Sequence, residues 1–192
     1  MIHGLTEGQF IDAKRFWPIL ERAAKLRAPI YIHPSQPHQA VTDVYYKDYS
    51  EYPIFARAAC GFAAEGATQA IRLVLSGVLE AYPGLRFILG HFGETIPYQI
   101  WRIHQTLSRP GNFPGSFRDL FIEHFYITTS GFFSTPALLA CAMEMGTDRI
   151  LFSVDWPFVS NRDGVDWLNS APLCDQDRRK ILGENAKRLL CL

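Results

Sequence analysis

Four times in this 192-residue chain a short apolar, β-rich run ends on a polar side chain and gives way to a longer stretch with helical spacing. The runs are Pro29 to His33, Leu85 to His91, Phe125 to Ser130 and Arg149 to Asp155. Such an alternation of strands with amphipathic segments predicts a parallel α/β fold. Helices are expected over Lys14 to Leu26, where Phe16, Ile19, Leu20 and Ala23 form one face and Pro18 fits only a first turn. Further helices are expected over Ala67 to Tyr82, closed by Pro83-Gly84, and over Pro136 to Met145, closed by Gly146. The last, Asp175 to Leu190, carries Ile181, Leu182, Leu189 and Leu190 as its stripe, with Asp175 as N-cap.

Composition narrows the partners. With 48% hydrophobic residues the chain can bury a core of its own, and without repeats or polar linkers it reads as one domain, 1–192. Lys+Arg and Asp+Glu are both 19, so no basic field is present to recruit nucleic acid or an anionic membrane. A small neutral or anionic ligand is expected instead. Cys60, Cys141, Cys174 and Cys191 lack CxxC spacing, and no apolar run reaches membrane length, which together suggest a reduced, cytoplasmic protein.

The polar strand ends fall into register. His33, His91, the group Thr128, Thr129 and Ser130, and Asp155 each close one run. In parallel α/β folds the carboxyl ends of the strands open on one face, where active sites form. Two imidazoles and a carboxylate are nitrogen and oxygen donors suited to a divalent Zn, Mn, Fe or Co ion. Taken singly, each histidine is equally a hydrogen-bonded structural residue, and Asp155 before Trp156-Pro157 equally an Asx-turn.

The stretches IYIHP (30–34), LGHFGETIPYQIWRI (89–103), FYITTSG (125–131), ILFSVDWPF (150–158) and the ending GENAKRLL occur in the order and spacing of a known family. The chain resembles the metal-dependent decarboxylase branch of the amidohydrolase superfamily, that of the gamma-resorcylate and 2,3-dihydroxybenzoate decarboxylases, with aminocarboxymuconate-semialdehyde decarboxylase more distant. The resemblance implies a (β/α)8 TIM-type barrel with one catalytic divalent ion, Zn or Mn, and non-oxidative loss of CO2 from an aromatic or unsaturated carboxylic acid. It also implies a homo-oligomer. By the same resemblance His33 and Asp155 are metal ligands, His91 works on substrate or metal-bound water, Glu94 orients His91, and Arg102 meets the substrate carboxylate. Asp155, or His91 through water, would deliver the proton. The segment from Pro34 to Pro53, with Tyr45, Tyr46, Tyr49 and Tyr52, would wall a planar ring or pack as an ordinary loop.

The chain departs from the family at its start. Relatives open on a strand ending in His-x-His or Glu-x-His, two further metal ligands, whereas this chain opens Met1-Ile2-His3-Gly4. A full barrel needs about 250 residues, so the expectation is the C-terminal part of a barrel: about four complete β/α units and a stub. His3 reads as a loop residue or a replacement ligand, and His38, His104 and His124 as structural or surface residues. A metal-dependent hydrolase of an ester, lactone or amide stays open beside the lyase, as does an inactive homologue. A dinucleotide-binding reading fails because GHFGE lacks the G-x-G-x-x-G spacing.

Overall fold

The computed structural model describes residues 1–192, which fall into two compact units, Met1–Arg86 and Phe87–Leu192. In the first unit β1 (Ile2–His3) pairs in parallel with β2 (Ile30–His33), setting Ile2 against Ile32 and His3 against His33. The connection between them carries α1 (Trp17–Leu26), entered through a 3₁₀ turn at Lys14–Phe16. Pro18 lies in the first turn of α1, where its missing N–H removes no helical bond. The segment expected as loop folds in part: α2 (Gln39–Tyr45) is capped by His38, whose Nδ1 accepts the Ala40 N–H at 3.2 Å.

The helix expected over Ala67 to Tyr82 is two helices. α3 (Gly61–Leu75) starts a turn and a half earlier, and α4 (Val78–Ala81) restarts after Gly77, whose φ of 79° no helix continues. Ala70, Leu73, Val74, Val78 and Leu79 are fully or almost fully buried. Gly61 starts α3 where any Cβ would meet the Ala56 carbonyl, so that close approach fixes the start.

In the second unit β4 (Phe125–Thr128) lies between β3 (Phe87–Leu89) and β5 (Ile150–Leu151), with every pairing parallel. All four β4 residues are buried, the pattern of a strand covered on both faces. Phe87 stacks on Phe125 at 5.2 Å and Phe121 on Phe125 at 4.6 Å, forming the aromatic centre of the core. The paired strands are shorter than the apolar runs, because the residues beyond them leave the ladder to form the strand-end loops.

Helical elements follow each strand: α5 (His91–Glu94), α6 (Ile96–Leu107), α7 (Phe117–His124), α8 (Thr135–Met145), α9 (Asn161–Ser170), α10 (Asp175–Arg179) and α11 (Asn185–Leu190). Ser116, Ser134 and Ser160 cap α7, α8 and α9 through their hydroxyls. Cys174, not Asp175, is the N-cap of α10, and Asp175 instead places its charge in the first turn, favourable to the helix dipole. Fully buried Asn185 donates to the Thr147 and Ile150 carbonyls, each at 2.8 Å, tying α11 to β5. No helix is long and apolar enough to cross a membrane.

Candidate functional site

In the first unit the β1–β2 register places His3 beside His33, ring centroids 4.9 Å apart. His33 Nδ1 lies 2.7 Å from the Pro34 carbonyl. A carbonyl can only accept, so His33 Nδ1 is the donor in this bond. Buried Glu65 of α3 accepts from the Ser35 N–H at 3.3 Å, just beyond this strand end. Gly4 is needed there, since a Cβ would stand 1.8 Å from Ser35 Oγ. Of the four tyrosines, Tyr45, Tyr49 and Tyr52 are exposed while Tyr46 is buried edge-on against Phe55 at 4.9 Å. Tyr45 and Tyr46 line a mainly apolar cavity of about 280 Å³ with Phe10, Val41 and Glu65.

In the second unit His91, Glu94 and Asp155 come together. His91 Nδ1 is 2.5 Å from Glu94 Oε1, and Nε2 is 3.9 Å from Asp155 Oδ2. Glu94 is almost wholly buried, while Asp155 keeps about a third of its side chain in solvent. The i,i+3 pair meets because the chain from His91 to Thr95 is left-handed throughout, with φ of 49°, 53°, 76°, 49° and 71°. Asp155 too has a positive φ, 77°, and its carbonyl accepts from the Phe158 N–H at 2.9 Å. Non-glycine residues reach this region only at a cost that the surroundings must cover, and such strain gathers at functional sites.

The electrostatics follow from that geometry. Burial pulls the His91 pKa down, but the Glu94 hydrogen bond and charge, joined by the Asp155 charge, outweigh it and hold His91 above its ordinary 6.5. Glu94 thus works against the burial penalty on the charged form of the imidazole.

Gly131, which ends the TTSG stretch, has φ 87°, and a Cβ there would stand 2.7 Å from His91 Cδ2 and 3.7 Å from Asp155 Oδ2. Neither this glycine nor Cys141, whose Sγ donates to the Phe92 carbonyl at 3.7 Å, was visible as a site residue in the sequence. Only the glycine left a signal, its place directly after a polar strand end. Arg102 lies exposed on α6. His124 is buried and half-buried His104 packs against Trp101, as expected of structural residues. His3 is not a loop residue but the end of β1.

The donor set matches a divalent ion in kind, imidazole nitrogen and carboxylate oxygen, but no three histidine, cysteine or carboxylate side chains gather closely enough to hold one.

Residues 2–192 match the amidohydrolase family model, and the chain belongs to that family. It is 39% identical over 188 residues to gamma-resorcylate decarboxylase of Rhizobium radiobacter, covering 95% of this chain and 56% of that protein. Among solved structures it resembles dihydroxybenzoic acid decarboxylase of Polaromonas sp. JS666 with bound manganese and the inhibitor 2-nitroresorcinol, at a TM-score of 0.88 and 36% identity, covering 95% of this chain and 55% of that one. It likewise resembles 2,6-dihydroxybenzoate decarboxylase complexed with 2,6-dihydroxybenzoate, at a TM-score of 0.88 and 38% identity, covering 98% and 60%. The chain thus spans little more than half the length of these relatives, and its parallel strand–helix units are part of the barrel fold that they share.

Proposed function

We propose that this chain carries the proton-transfer half of a metal-dependent, non-oxidative decarboxylase acting on hydroxylated aromatic acids such as 2,6-dihydroxybenzoate. The observation that carries the reading is the His91 imidazole held between buried Glu94 and solvent-touching Asp155, on the motifs that resemble those of the decarboxylases.

By the resemblance, His33 of the first unit and Asp155 of the second would each be a donor to a divalent ion. The chemistry such an ion would supply is Lewis-acid polarisation of the bound acid. Asp155 delivers a proton to the ring carbon that bears the carboxylate. The carbon–carbon bond then breaks, its electrons return to the ring, CO2 departs, and His91 stands beside Asp155 to restore the proton. Glu94 fixes the His91 tautomer, and exposed Arg102 would meet the carboxylate as substrate enters. Self-association and residence in the cytoplasm belong to the same reading and rest on the resemblance and on the cysteine pattern.

A second reading has one observation in its favour. Because no three donors assemble, the 192-residue chain by itself would bind metal weakly and turn over nothing. Elemental analysis of the purified chain after exposure to manganese, with CO2 release from 2,6-dihydroxybenzoate on the same sample, separates the two. A near-stoichiometric ion with turnover supports the enzyme reading for this chain. Stoichiometric metal without CO2 release from any hydroxybenzoate would contradict it, and no metal with no turnover supports the second reading.

A further inference from the structure

We infer that Ser130, backed by Thr128, is a positioning residue for His91: its hydroxyl accepts the His91 backbone N–H and so holds the left-handed turn in which His91 meets Glu94. The inference deepens the reading of His91 given above and rests on it for any effect on turnover. It concerns groups of the second unit alone.

The turn needs such a device. His91, Phe92, Glu94 and Thr95 are all left-handed without being glycine, each at a steric cost. Only Gly93 takes this conformation without penalty, and the Gly93 N–H closes the turn onto the Gly90 carbonyl at 2.7 Å. The N–H of His91 opens the turn and receives its partner from another strand end, Ser130 Oγ at 3.2 Å. Ser130 Oγ is in turn 2.7 Å from Thr128 Oγ1, and both residues are buried, 3% and 2% exposed. Ser130 Oγ thus accepts from His91 and shares a second bond with Thr128 Oγ1, in which either hydroxyl can donate. A polar pair kept this dry is expensive unless its bonds are made, so the Thr128 hydroxyl holds Ser130 Oγ in place.

The next residue explains why the anchor has to be short. Gly131 lies against the His91 ring with no room for a Cβ, so the backbone after Ser130 forms the floor on which the imidazole rests. Ser130 therefore fixes the start of the turn while Gly131 sets the ring's height. The sequence signal is the string Thr128-Thr129-Ser130-Gly131, in which Thr129 serves a separate bond to the Ser153 carbonyl at 2.8 Å.

Proton NMR of the ¹⁵N-histidine-labelled 192-residue chain tests this without requiring turnover, because the His91 Nδ1–H held by Glu94 gives a low-field resonance protected from exchange. In Ser130→Ala that resonance should vanish or broaden while the thermal transition stays cooperative. Thr128→Val, which keeps the shape and removes the hydroxyl, should weaken it, and Thr128→Ser, which keeps the hydroxyl and removes the methyl, should preserve it. If the assembled enzyme turns over, Ser130→Ala should lower kcat about tenfold with KM changed less than about twofold, the loss of one hydrogen bond's positioning. A resonance unchanged in both Ser130→Ala and Thr128→Val would overturn the inference. So would a resonance lost from Thr128→Ser and kept in Thr128→Val, which would assign the effect to packing. Should Ser130→Ala fail to fold, the two Thr128 variants decide. Loss of turnover in wild type with the resonances behaving as expected would count against the decarboxylase reading and leave the positioning role standing.

Discussion

At Asp155 the backbone makes the choice of substitution informative. With φ at 77° most side chains are strained there, but asparagine, like aspartate, tolerates the left-handed region. Asp155→Asn should thus leave the thermal transition near that of wild type while removing the proton that the proposed reaction needs, whereas Asp155→Ala confounds the two. Gly131→Ala is the complementary case: it adds a Cβ 2.7 Å from His91 Cδ2 at a residue with φ 87°. We expect lower stability, by about 1–3 kcal/mol in chemical denaturation, and a displaced His91 resonance. An alanine variant as stable as wild type would show that the tight floor under His91 is absent. At this scale the sequence was most legible where an apolar run gave way to a polar residue: at His33, which ends β2, and at His91 and Asp155, which lie just past the ends of β3 and β5. Gly131 and Cys141 were not legible, because their roles depend on which neighbour the fold brings within a few ångströms.

Among the elements, the strands and four of the helical segments could be read, while α6, α7 and α9 were not, and caps and breaks only in part. The serines capping α7, α8 and α9 each accept the N–H three residues on, a signature the chain carries openly in Ser116-x-x-Asp119 and Ser160-x-x-Asp163. The left-handed turn from His91 to Thr95 had no signature at all, since four of its five residues carry a Cβ and tertiary contacts hold them there; Phe92, fully buried against Phe132 and Trp167, is one such contact. Another element-level device lies at the far end of the unit. Asp148, beside β5, bonds Lys180 at 3.1 Å and Arg188 at 3.2 Å, and its carboxyl stands below the usual 3.8, first because of the Lys180 hydrogen bond. Asp177 is lowered in the same way, first by the Thr147 hydroxyl. A carboxyl whose folded pKa is depressed adds stability above its unfolded pKa and loses it as pH falls through the folded value. Asp148 is more than half exposed, so solvent screens the effect. Asp148→Asn should lower Tm at pH 7 by about 1–2 °C, and that difference should fade as the pH falls below 3.8. A deficit that persists unchanged into acid would show that Asp148 acts by shape alone.

For the whole molecule, the four cysteines give a direct check on packing. Cys60, Cys174 and Cys191 are exposed, whereas Cys141 is buried, and burial pushes its thiol up to about 12 despite the Tyr98 hydrogen bond. A thiol-titrating reagent at pH 8 should count three thiols in the native chain and the fourth only on unfolding; four native thiols would mean that α8 does not pack as described. The parallel α/β architecture was legible because alternating apolar runs and helical stripes leave few other folds, and the family because several motifs agree in order. Of a metal centre the sequence offered only donors of the right kind, since the spacing of His33, His91 and Asp155 says nothing of what would complete them. On the proposed reading, Asp155 and its His91–Glu94 support do the chemistry of a hydroxybenzoate decarboxylase. CO2 release from 2,6-dihydroxybenzoate in the presence of manganese, measured for the wild-type protein and for Asp155→Asn side by side, is the decisive test. Release by the wild type, with a loss of about a hundred- to ten-thousandfold in a variant that still folds, is expected when the proton donor of a chemical step is removed; equal release by both would refute the assignment.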